Sequence, residues 1–124
     1  MAPYFGTINP EISVLAPGRG EVKVPFRKEI TNHLASVHAI ALCNAAELAG
    51  GMMTEVSIPS GARWIPKGMS VEYLAKAKTS IHAIADGSEI DWQTSGDKIV
   101  PVDIFDEAGV KVFTARITMN VKVG

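Results

Sequence analysis

The feature that most constrains this chain is a run of helix formers with almost no charge on it. From Val37 to Ala49 the residues are Val-His-Ala-Ile-Ala-Leu-Cys-Asn-Ala-Ala-Glu-Leu-Ala, with no Pro or Gly among them. Ser36 is a fair N-cap, and Gly50-Gly51 predicts a left-handed stop. A surface helix of this length ordinarily shows a charged stripe, yet Glu47 is the single carboxylate here. The run is too short to cross a bilayer, so it predicts a helix buried at the centre of a fold. The rest of the chain must wrap it.

What is available to wrap it is strand. Ile12 to Leu15 is a short apolar run, with Asn9-Pro10 before it and Ala16-Pro17-Gly18-Arg19-Gly20 as turn punctuation after it. From Gly20 to Lys28, Val22, Val24 and Phe26 alternate with Glu21, Lys23 and Arg27, the pattern of a half-buried strand. Pro25 implies an edge position or a bulge there. After the helix, Met52–Ile58, Met69–Ala75, Ser80–Ala85, Lys98–Phe105 and Val110–Val123 carry strand signals. Asp106-Glu107-Ala108-Gly109 is a hairpin turn between the last two. A strand or short hairpin, one buried helix, then four or five antiparallel strands make an α+β layout.

At 124 residues the chain predicts a single domain, 1–124, with one modest core. Its formal net charge of −1 argues against bulk nucleic-acid binding, and its 47% hydrophobic content argues against disorder. The lone cysteine, Cys43, excludes a disulfide framework within the chain. The opening residues lack a basic segment followed by an apolar run, and no stretch reaches a membrane-spanning length. The expectation is a soluble cytoplasmic protein without nucleic-acid or membrane partners. His33, His38 and His82 form no set with metal-ligand spacing.

Strand, then Asn32 and His38, then a small-residue helix with Glu47 nine residues beyond His38, then a strand meander, resembles the hotdog fold. More closely, it is similar to hotdog acyl-CoA thioesterases of the phenylacetic-acid-catabolism type and to a related bacterial branch. The resemblance covers roughly residues 10 to 123. It implies an antiparallel sheet wrapped around one central helix, with no cofactor or metal. It also implies that Asn32, His38 and Glu47 are site residues. Glu47 would be nucleophile or general base, Asn32 and His38 would position the thioester, and the helix-start amide near Ala39 would hold its oxygen. Two departures stand out. Ala35 occupies a position usually held by Gly, and Ala39-Ile40 replaces a Gly-Gly pair.

The spacing has its own consequence. Nine residues along a helix span about 13.5 Å and two and a half turns, which puts His38 and Glu47 on opposite faces. If both act on one thioester, they come from two chains, so the expected assembly is a homodimer or a dimer of dimers. Asn44 is a candidate to orient Glu47. Coenzyme A carries phosphates, and Arg63, Lys67, Lys76 and Lys78 are candidate cations for them. Trp64 and Met69, with Met52 and Met53, are candidates for the acyl site. The expectation is an acyl-CoA thioesterase. The alternative is a non-catalytic acyl-CoA-binding hotdog, a sensor or a structural subunit.

Overall fold

The computed structural model describes residues 10–25 and 39–123. Asn32, His33, Ser36 and His38 lie outside the described residues. Strand β1 (Glu11–Ala16) turns at Pro17-Gly18 into β2 (Arg19–Val24), and helix α1 (Ala39–Ser57) leads to β3 (Arg63–Tyr73). Then come β4 (Ile81–Asp86), β5 (Gly96–Phe105) and β6 (Lys111–Lys122). The six strands form one sheet in the order β1-β2-β4-β5-β6-β3, every neighbouring pair antiparallel. Alternation along β6 sends Phe113, Ala115, Ile117, Met119 and Val121 to the core. β5 adds Val100, Val102 and Ile104.

α1 lies against this inner face through Ala41, Leu42, Ala45, Ala46, Ala49, Gly50 and Met53, which are buried. The small residues on that stripe let the helix backbone approach the sheet closely. This is the hotdog arrangement, a sheet around one helix. The opposite side of α1 is only partly covered within one chain. Ile40 there is 63% exposed, while Cys43, Leu48 and Met52 on the flanks of the buried stripe are half-buried.

Three local expectations are corrected. The helix does not stop at Gly50-Gly51 but continues to Ser57, so Met52–Ile58 is helix rather than strand. The glycines serve contact instead. A Cβ on Gly50 would stand 3.0 Å from Ile117 Cδ1, and one on Gly51 would stand 3.3 Å from Trp64 Cη2. The stop comes at Pro59, which cannot continue a helix, one residue after the Ile58 amide donates to the Thr54 carbonyl. Pro25 follows the end of β2, and β2 is an interior strand between β1 and β4.

Candidate functional site

Glu47 sits on the side of α1 that faces β3. Four residues on, Gly51 shares its stripe, and Glu55 continues it. Alternation turns Trp64 and Met69 of β3 toward this stripe, and the indole Nε1 of Trp64 donates to Glu55 Oε2 at 3.3 Å. Between them the β3 ladder slips. Pro66 pairs with Met119 and Gly68 with Thr118, which leaves Lys67 as the extra residue of a bulge.

The result is a cavity of about 400 Å³ lined by Glu47, Gly51, Trp64, Pro66, Lys67, Gly68, Met69, Ile117 and Met119. Its floor is sheet core, since Ile117 and Met119 are each 2% exposed. Glu47 itself is exposed at the rim, while Ala46 and Ala49 beside it are buried. β3, which walls one side of the cavity, is an edge strand of the sheet.

Lys67 is held in place from outside the cavity. Its Nζ donates to Asp97 Oδ2 at 3.1 Å, and Asn120 Nδ2 donates to Asp97 Oδ1 at 2.8 Å. The hydrogen bond from Asn120, followed by that from Lys67, keeps the Asp97 carboxyl below the usual aspartate range. The arrangement places one carboxylate, one ammonium and an apolar floor around a single opening.

Not every expected residue joins them. Arg63 begins β3 on the face opposite Trp64, and Lys76 and Lys78 are exposed on the β3–β4 connection, so none of the three lines the cavity. Met53 is wholly buried core and Met52 half-buried. Asn44 donates to the Ile40 carbonyl at 2.9 Å, the local bond of a helix Asn, instead of orienting Glu47. Cys43 Sγ lies 3.4 Å from Tyr73 Oη, a contact that pushes the Tyr73 phenol up. Ala39, the first described helical residue, is exposed. Gly51, Pro66, Gly68, Ile117 and Met119 are lining residues that sequence reasoning missed.

A larger cavity, about 450 Å³, opens beside Lys23, Val24, Pro25, His82 and Glu107. Among the described residues, its lining includes none of Glu47, Trp64, Lys67 and Met69. His82 is half-buried, with Nε2 2.8 Å from Glu21 Oε1 but poorly aligned for a hydrogen bond. The Glu21 carboxyl is held below its ordinary range chiefly by the hydrogen bond from Arg19. Among the described residues, no group of three His, Cys, Asp or Glu side chains could hold a metal ion.

A family described as "Domain of unknown function (DUF4442)" matches residues 1–121. A crystal structure of a genomics protein is 56% identical, superimposes with a TM-score of 0.94, and is matched over 98% of this chain and 82% of its own. A Pseudomonas aeruginosa protein of unknown function, described as a probable thioesterase, is 23% identical with a TM-score of 0.85, over 98% of this chain and 87% of its own. A thioesterase from Haemophilus influenzae is 17% identical with a TM-score of 0.84, over 96% of this chain and 82% of its own. At such identities the last two likenesses carry the fold alone. No curated protein matches the chain.

Proposed function

The chain belongs to the DUF4442 family and has the hotdog fold of the thioesterases it resembles, and from that premise we propose that it hydrolyses acyl-CoA thioesters. The observation that carries this reading is the cavity that puts Glu47 beside an apolar floor and a fixed ammonium. An acyl chain needs the first surface, and a scissile carbonyl needs a base or nucleophile next to it. Glu47 activates water or attacks the thioester carbonyl directly. The amide near Ala39, at the positive end of the helix dipole, takes the developing oxyanion. Asn32 and His38 position the thioester. Lys67, fixed by Asp97, meets a phosphate of coenzyme A.

His38 and Glu47 stand nine positions apart in sequence, a spacing that in a continuous helix turns them to opposite faces, so in this reading each site draws His38 from one chain and Glu47 from another. The uncovered apolar side of α1 and the free edge of β3 suit a homodimer, or a dimer of dimers, in which the partner closes the open side of the cavity. Sedimentation at micromolar concentration should find a dimer or a larger assembly. A monomer contradicts the two-chain site.

The decisive test of the activity is thiol release from a panel of acyl-CoA esters by the purified protein. Turnover on at least one ester, lost in Glu47→Gln, supports hydrolysis. Tight binding of esters with no thiol release on any of them supports a sensor or structural subunit instead, the reading that the Ala39-Ile40 departure favours.

A further inference from the structure

Resting on the acyl-CoA reading above, we propose that Trp64 is the stop that sets acyl length, and that the substrates are thioesters of short uncharged acids. The indole is fixed at both ends. Its Nε1 donates to Glu55 Oε2 at 3.3 Å, and its six-membered ring lies over Gly51, where a Cβ would meet Cη2 at 3.3 Å. Glu47, Gly51 and Glu55 lie on one helical stripe, so the ring crosses that stripe one turn beyond the carboxylate.

The four residues from Glu47 to Gly51 correspond to a rise of about 6 Å. An acyl chain whose carbonyl sits at Glu47 and which runs along the helix therefore meets the ring edge after about four or five carbons. It cannot escape downward, because Ile117 and Met119 belong to the close-packed core. Pro66 and Gly68 of the bulge close the β3 side. Met69, Ile117 and Met119, which line the acyl path, offer no partner for a charged chain end.

The test uses S-alkyl-CoA thioethers, which bind like thioesters but do not hydrolyse, from ethyl to hexadecyl. Each is titrated calorimetrically into the full chain, and thiol release is followed in parallel with the matching esters. For the wild type, affinity should climb by about four-fold per buried methylene up to butyl or hexyl. It should then fall by at least about ten-fold at dodecyl. Trp64→Ala should move the limit to longer chains. Trp64→Phe, which keeps a ring but loses the bond to Glu55, should move it the same way by less. Gly51→Ala brings a Cβ to 3.3 Å from Cη2 and so shifts the ring edge slightly, which should change the affinity of the longest bound chains by less than Trp64→Ala does; if Trp64→Ala folds poorly, Trp64→Phe and Gly51→Ala remain to decide.

A wild type that binds dodecyl as tightly as hexyl overturns the proposal. So does a limit unmoved in all three variants, or an absence of binding across the whole series. Shifts in binding without thiol release on any ester remove the hydrolytic reading and leave the stop in place. Thiol release with a flat length profile does the reverse.

Discussion

A β-carbon on Gly20 would stand 2.8 Å from the carbonyl oxygen of Ala49, where β2 crosses the central helix. The obstacle is helix backbone, with Met53 Cβ only slightly farther at 2.9 Å, so no side-chain rotation relieves it. Gly20→Ala should therefore destabilise the fold by about 1–3 kcal/mol through overpacking. Gly51→Ala should be neutral or stabilising by up to about 1 kcal/mol, since it gains helix propensity and meets only an indole edge. Urea unfolding of the two variants checks this. Equal losses would contradict the close helix–sheet approach at Gly20.

Lys67 and Asp97 yield a pH prediction. The Asp97 carboxyl titrates below its ordinary value, so the folded value lies under the unfolded one. The pair is therefore intact above the unfolded value and is lost as pH falls through the folded one. A carboxyl-carbon NMR titration should place the Asp97 midpoint below the usual aspartate range. Asn120→Ala should raise it more than Lys67→Met, because the Asn120 hydrogen bond is the larger cause. In the thioesterase assay, Lys67→Met should raise KM by about two- to five-fold, the scale of one exposed charge contact. An unshifted midpoint contradicts the fixed ammonium.

Much of the architecture was legible because it is local. The alternation of β6 and the Asp106–Gly109 turn state their own geometry within a few residues. The length of α1 was not, because Gly50 and Gly51 are helix breakers by propensity. They persist inside the helix through contacts with Ile117, Val102 and Trp64 that no local window contains. The site divides the same way. Glu47, Lys67, Trp64 and Met69 do gather at one cavity. Arg63 looked equally near in sequence, but strand alternation sends it to the other face. Lys67 is the extra residue of a bulge inside β3, a feature that no local sequence pattern announces. Ile117 and Met119 enter only through the pairing of β3 with β6.

Glu47→Gln should lower turnover by about two to four orders of magnitude, because the amide is neither base nor nucleophile. Glu47 is exposed at the cavity rim, so no buried charge is relieved and the melting temperature should stay within a few degrees of wild type. Thiol-release kinetics beside a thermal melt measures both. Full activity in the variant would leave Glu47 an ordinary surface carboxylate.

The central claim is that one site takes His38 from one chain and Glu47 from another. His38→Ala and Glu47→Ala homodimers should each be impaired at both sites. In a mixed dimer one site collects both substitutions and the other none. With random pairing half the dimers are mixed, so combining the two inactive variants under subunit exchange should restore roughly a quarter of wild-type activity per total site. The measurement is thiol release from the mixture, with exchange confirmed by mass. Recovery to that level is the expected result. Activity that stays at the level of the separate variants, with exchange complete, contradicts the two-chain site.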